Sequence, residues 1–338
     1  MQNRRKRSAP LMILVCSPIV IALVVILSVT FGAKSISGIT VWNAIFHFNP
    51  DNVDHQIIIH SRLPRALGAL LIGACLAVSG AIMQGMTRNY LASPSIMGVS
   101  DGAVFAVTLC MIVMPGVSSL DLIFYSLLGS AAAYGLVFGA ASLLTDGLSP
   151  VKLAILGTIT GTFLSSLAAA AASYFQLSQQ ISFWYNARLH QLEPQMIKLA
   201  IPFAAAGLVL AVCVSRSITV LSLGEEISAG LGQRTFWVKG IGTLSVVLLT
   251  GVSVALAGNI GFVGLIIPHI TRYLTGIDYK WIIPCSGVIG GVFLAASDVL
   301  ARFVNYPFET PIGVITSVIG VPYFLYLIKR KGARRHAA

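Results

Sequence analysis

Side chains able to take part in chemistry are scarce in this chain. Of its 338 residues, 22 are Lys or Arg and 11 are Asp or Glu, and the few in suggestive positions point to binding, not bond-making. Glu225 and Glu226 stand side by side in LSLGEEISAGLGQRTF, which begins at Leu221. Paired carboxylates serve acid–base catalysis, but adjacent ones on a basic face with no pocket serve equally as a solvated helix cap. Asp101 and Asp298 fall within long apolar runs, where a charge is costly and faces protein or water. Asp101, between Ser100 and Gly102, suits an N-cap as well as a pathway lining, and neither aspartate is read as a proton relay. His269, beside Pro268, has no second histidine or carboxylate at metal-ligand spacing on its helix and reads as a hydrogen-bonded packing residue.

The familiar catalytic signatures are missing. There is no G-x-x-x-x-G-K-[ST] loop to cradle ATP phosphates, no H-E-x-x-H metal motif and no nucleophile paired with a base. Cys16, Cys75, Cys110, Cys213 and Cys285 lack C-x-x-C spacing and read as small apolar packing residues, with no disulfide framework or zinc site.

The elements that must position these residues are membrane spans. A bilayer core requires roughly 20 apolar residues per helical crossing, and long apolar runs, several of them free of charge, give ten spans: Leu11 to Phe31, Ala66 to Met86, Ile96 to Val113, Leu122 to Leu144, Leu153 to Phe175, Met196 to Val214, Val238 to Ala257, Ile260 to Leu274, Trp281 to Val304 and Ile312 to Ile328. The expected fold is an all-α polytopic bundle, a single transmembrane domain over residues 1–338. The run from Ile260 is only about 22 Å long at the usual helical rise, so it is expected to be kinked or buried against its neighbours. The first run is long for a signal peptide and lacks a clear small-residue cleavage site, so it reads as an uncleaved span.

With both termini inside, Lys34, Arg62, Arg65, Arg188, Lys198 and Arg302 fall outside and the remaining sixteen of the 22 cations fall inside, as the positive-inside rule requires. The net charge of +11 therefore reads as topology and attraction to lipid headgroups, with no nucleic-acid partner. Outside, VWNAIFHF from Val41 and ISFWYNARL from Ile181 are amphipathic or aromatic stretches suited to the interface, as anchors or as the lining of an external vestibule. Inside, the longest connection between spans is Ser215 to Trp237 (215–237). Gly224 followed by two acids resembles a helix start, ending near Gly230 or Gly232. Leu221, Leu223, Ile227 and Leu231 beside charge give this loop the character of a docking element.

Four further blocks carry a resemblance: RLPRALGALLIGACLAVSGAIMQGMTRN from Arg62, LASPSIMGVSDGA from Leu91, GFVGLIIPHITRYLTG from Gly261 and PIGVITSVIGVPYFLYLIKR from Pro311. Together with the Gly224 loop they resemble the permease subunits of ABC importers that take up ferric siderophores, haem and vitamin B12, the FecCD type. The resemblance implies a transport subunit, not an enzyme, in a bacterial cell membrane with both termini cytoplasmic. It implies a second permease subunit, a cytoplasmic ABC ATPase that binds the ATP and Mg, an external substrate-binding protein and surrounding lipid as partners, and no cofactor in this chain. By resemblance, Leu221, Leu223, Gly224, Glu225, Glu226, Leu231 and Gly232 form the element that couples to the ATPase. Arg62, Arg65 and Arg302 resemble the arginines offered to glutamates of the binding protein, a task for which a planar guanidinium fork is suited; the alternative is that they snorkel to headgroups.

A ferric siderophore is the implied cargo, with haem or vitamin B12 as alternatives. A secondary transporter is the competing class, disfavoured by the shortage of polar groups for coupling-ion sites. The chain departs from the family pattern at Tyr90, Ser93, Asn259 and Asn186 to Arg188, where proline, an acidic residue, proline and small residues respectively are usual.

Overall fold

The computed structural model describes residues 2–32, 34–114, 116–144, 149–179, 181, 189–306 and 308–335. Among these every regular element is helical. In chain order they are α1 (Gln2–Thr30), α2 (Gly38–Phe46), α3 (Val53–Ile57), α4 (Leu63–Thr87), α5 (Val99–Val113), α6 (Ser119–Ser142), α7 (Pro150–Tyr174), α8 (Pro194–Leu221), α9 (Glu225–Gly230), α10 (Thr235–Ala257), α11 (Val263–Thr275), α12 (Tyr279–Val304) and α13 (Ile312–Arg335). Among the described residues seven helical segments are long and apolar enough to cross a membrane, and Val99–Val113 and Ile312–Tyr326 are shorter apolar helices. The protein is a multi-pass membrane protein.

All ten expected spans are helical; the first begins earlier, at Gln2, the last runs on to Arg335, and two others differ in ways that bear on the site. The Ile260 run becomes α11, 13 residues with a mostly buried wall of Val263 to Pro268. At the usual rise it covers about 20 Å, too short to cross alone. The span expected to stop at Val214 continues to Leu221, because nothing in SRSITVL breaks a helix and Ile218 and Leu221 still find apolar partners.

α4 is the hub of the bundle. Its flanks pack on α8, α10, α11 and α12, and almost every residue from Pro64 to Thr87 is buried. Apolar burial gives little advantage over lipid, so packing here rests on close approach of small residues. A side-chain carbon on Gly73 would overlap the Gly290 carbonyl of α12, and one on Gly80 would overlap the Gly264 carbonyl of α11. Gln84 reinforces the second contact by donating from Nε2 to the Leu265 carbonyl at 3.0 Å. At the periphery, α1 exposes Leu11, Met12, Val15, Ile19, Leu23 and Ile26, a face that acyl chains satisfy.

Pro64 shapes the entry to α4. Proline cannot extend a regular helix from α3, and the junction Ile58–Arg62 opens into a π turn. The amphipathic reading of VWNAIFHF holds as α2: Ser37 caps it, Val41 and Ala44 face inward, and exposed Trp42 and Phe46 pack together with centroids 4.3 Å apart. The aromatic residues Phe183, Trp184 and Tyr185, with Arg188, lie outside the described residues. Cys75, Cys110 and Cys285 are buried and Cys16 and Cys213 exposed, and no disulfide occurs among the described residues.

Candidate functional site

Two groups of polar residues gather at opposite ends of the bundle. At the first end meet the last turn of α1, the π turn, the start of α4, the last turns of α12 and the loop before α13. Arg62 and Arg65 are three residues apart and therefore share a face. Both point inward. Arg65 Nε and Nη2 donate to Asp298 at 2.9 and 2.8 Å, and its Nη1 donates to Glu309 at 2.7 Å. Asp298, 1% exposed, also receives Arg302, one helical turn along α12. Arg302 in turn donates to the Ser28 carbonyl at 2.7 Å, the Phe31 carbonyl at 2.9 Å and the Ser28 hydroxyl at 2.9 Å.

Arg62 donates instead to the carbonyls of Val29, at 2.7 Å, and of Thr30 and Lys34, and so closes the C-terminal end of α1. Among the described residues no carboxylate pairs with it. The cluster thus sets three guanidinium groups against two carboxylates and carries one surplus positive charge. Neither free forks nor headgroup snorkels describe these arginines as they stand: all three side chains are mostly buried and hydrogen-bonded within the chain. Sequence reasoning singled out Asp298 without its arginine partners, and missed Glu309 altogether. The Asp298 to Arg302 spacing of four residues was a local signal for one pair; Glu309 had none.

At the opposite end, α8 and α10 are joined by α9 and its flanking turns. Gly224 makes the sharp entry at φ 140°, a conformation that L side chains rarely adopt, and Glu225 and Glu226 occupy the first turn of α9 where the helix dipole favours them. Glu225 pairs with Lys239 of α10 at 2.6 Å, and Glu226 is exposed. Buried Ser228 bonds to Gln233, whose Nε2 donates to the Ser217 carbonyl at 3.0 Å, so the turn after α9 is tied back to α8. Gly232, at φ 79°, ends the helix.

Leu223, Ile227 and Leu231 stand exposed on this end. Leu221 differs from expectation: it is 2% exposed in the last turn of α8 and anchors the loop from beneath. Phe236 and Trp237, in edge-to-face contact at 6.0 Å, extend the exposed apolar surface; their place at the C-terminal margin of the loop was the signal for them. This apolar surface lies beside the exposed carboxylate of Glu226.

The remaining sequence candidates fall elsewhere. Asp101 is not the N-cap of α5; that position is Gly98, and Asp101 sits in the first turn facing α7 and the turn before α11. His269 lies edge-on to Tyr90 and Tyr323, a packing position. No group of three or more His, Cys, Asp or Glu able to hold a metal occurs among the described residues.

The chain matches the FecCD transport family over residues 20–330. It is 58% identical over 324 residues to the iron-uptake system permease protein FeuB of Bacillus subtilis, covering 96% of this chain and 97% of that one. It is 51% identical over 305 residues to the iron(3+)-hydroxamate import system permease protein FhuB of the same organism, covering 90% and 79% respectively. Its fold is similar to the solved structure of a metal-chelate type ABC transporter in an inward-facing conformation, with a TM-score of 0.81, 28% identity, and coverage of 94% of this chain and 99% of the other.

Proposed function

Because the chain belongs to the FecCD transport family, and is thus an ABC importer permease, we propose that it carries a ferric siderophore across the cell membrane on energy from ATP hydrolysed by a partner. The observation that carries this reading is likeness along nearly the whole chain, in sequence to permeases named for iron uptake and in fold to a metal-chelate transporter. In this reading the chain is a transport subunit and not an enzyme. ATP and Mg belong to a separate ATPase.

The loop end is the coupling element. Leu223, Ile227 and Leu231, with Glu226 beside them, enter a groove on the ATPase, while Gly224, Glu225 and Gly232 give α9 its shape. Buried Leu221 ties that shape to α8. Residues 215–237 thereby act as a lever within one permease domain. The Ser228–Gln233–Ser217 chain and the Lys239–Glu225 pair support the lever reading, since a load on α9 passes directly to α8 and α10.

The arginine end receives the binding protein. Its surplus positive charge suits acidic lobes, and complementary charge speeds and orients such an encounter. Arg62, Arg65 and Arg302 hold this platform together and supply its sign. A second permease subunit completes the pathway, and both termini of this chain lie in the cytoplasm, the side to which the loop end belongs.

The test is uptake of ⁵⁵Fe-labelled siderophore into proteoliposomes containing the permease pair, the ATPase and the binding protein, with each omitted in turn. Uptake that requires all of them and ATP supports the proposal. Uptake without ATP or without the ATPase overturns it, and uptake of haem or a corrinoid in place of the ferric chelate overturns the assignment of cargo.

A further inference from the structure

Among the described residues Asp101 has no cationic partner. Its Oδ1 accepts from the Ser165 hydroxyl at 3.0 Å and from Asn259 Nδ2 at 3.3 Å, both neutral, and among the described residues no Lys, Arg or His pairs with it. Asp298, the other aspartate within a span, is met by two guanidinium groups. Ser165 lies fifteen residues beyond the start of α7, about 22 Å along its axis, well inside a hydrocarbon core about 30 Å thick. A carboxylate held there without an opposite charge is unfavourable.

The surroundings are made of hard oxygen donors. A cavity of about 580 Å³ is lined by Ser95, Asp101, Thr158, Thr162, Ser165 and Asn259, among others, and opens on the exposed face of α7. Asn259, while donating to Asp101, keeps its own Oδ1 buried without a partner. An adjoining cavity of about 320 Å³ shares Ser165, and the hydroxyl of fully buried Thr108 on its wall also lacks a partner. Gly161 leaves the room for the carboxylate: a side-chain carbon there would stand 2.5 Å from Asp101 Oδ2.

We propose that this cavity binds a monovalent alkali-metal cation, with Asp101 as the charged ligand and the Asn259 carbonyl and neighbouring hydroxyls as neutral ones. Oxygen-only donors select hard cations, and sulfur or imidazole ligands for a softer metal are absent from the lining. A single carboxylate balances one positive charge, which favours a monovalent ion over a divalent one. The site stands apart from both the loop end and the arginine end, so it does not depend on which cargo the protein moves. The same aspartate would also complement the helix dipole at the start of α5, but that role alone leaves the protein indifferent to the identity of the surrounding salt.

The experiment compares the melting midpoint of the purified full-length permease, reconstituted in lipid nanodiscs with its ATPase, in graded LiCl, NaCl, KCl and choline chloride at constant ionic strength. One alkali cation is expected to raise the midpoint by a few degrees in a saturable way, through preferential binding to the folded state. Asp101→Asn, which keeps the side-chain shape, is expected to abolish that rise, and Ser165→Ala to shift half-saturation several-fold upward. If the wild type melts identically in choline and in every alkali salt, the proposal is overturned, whether or not the variants fold. A saturable rise that persists in Asp101→Asn overturns it too. A midpoint that follows pH and ignores the cation assigns the balancing charge to a proton instead.

Discussion

The two ends of this bundle use charge in opposite ways. At the arginine end, Arg65, Arg302 and Asp298 turn inward and satisfy one another, with Glu309 pairing from the rim; at the loop end, Glu226 and the apolar residues Leu223, Ile227, Leu231, Phe236 and Trp237 turn outward. The first arrangement joins helices that are far apart in sequence, α4 to α12 and α1 to α12. The second is local, with its hydrogen bonds spent on shaping one short helix. Paired charge is therefore concentrated at one end and exposed apolar surface at the other.

The sharpest way to break this contrast is Asp298→Ala. Two buried guanidinium groups lose their shared carboxylate, and the expected loss is about 3–5 kcal/mol in denaturant or thermal unfolding of the purified protein. Replacing Arg65 and Arg302 by Met in the same background should recover much of that loss, since a well-packed apolar set is often no worse than a buried ion cluster. At the loop end, Ile227→Asp should change stability by no more than about 0.5 kcal/mol. In reconstituted vesicles it should lower ATP-dependent uptake about tenfold, equivalent to about 1.4 kcal/mol of lost docking energy. Uptake at the wild-type rate would remove α9 from the coupling surface.

Smaller effects separate the inner from the outer parts of each end. Glu309 is 42% exposed, so Glu309→Gln should cost less than about 1 kcal/mol, far below its partner Asp298, and a comparable loss for both would mean the network is not graded by burial. The Lys239–Glu225 pair is the weakest contact considered, with side-chain exposures of 33% and 54%. Lys239→Ala should move the unfolding midpoint by no more than about 0.5 kcal/mol equivalent.

Local features were legible in the sequence. Long apolar runs marked the helices, and Gly224 before two acids marked the start of α9, because helix length and capping depend on neighbours along the chain. Features made by topology were not. Arg65 and Asp298 lie 233 residues apart, and no spacing rule links them. Arg62 and Arg65 looked available because their partners belong to other helices and to loops. Asp101 read as a cap from its neighbours Ser100 and Gly102, yet the groups that define its setting, Ser165 and Asn259, come from α7 and the turn before α11. The true end of α8 was obscured for a related reason: Arg216 interrupts the apolar run, but the backbone continues as a helix for five more residues.

The glycine contacts of α4 bear on how such a protein can move. Where Gly73 meets Gly290 and Gly80 meets Gly264, backbone touches backbone, and no side chain lies between that could change rotamer and let the helices slip. Together with the Gln84 bond to Leu265, this makes α4, α11 and α12 a rigid chassis. The pairing of α8 with α10 runs instead through side chains, with Leu249 resting on Gly207 and the Ser245 hydroxyl donating to the Gly207 carbonyl at 2.8 Å, and any rearrangement of the bundle would fall to contacts of this kind. The loop that links those two helices is α9. A stroke delivered there would act on the compliant half of the bundle and leave the chassis, with the arginine network bolted to its far end, as the fixed frame of reference.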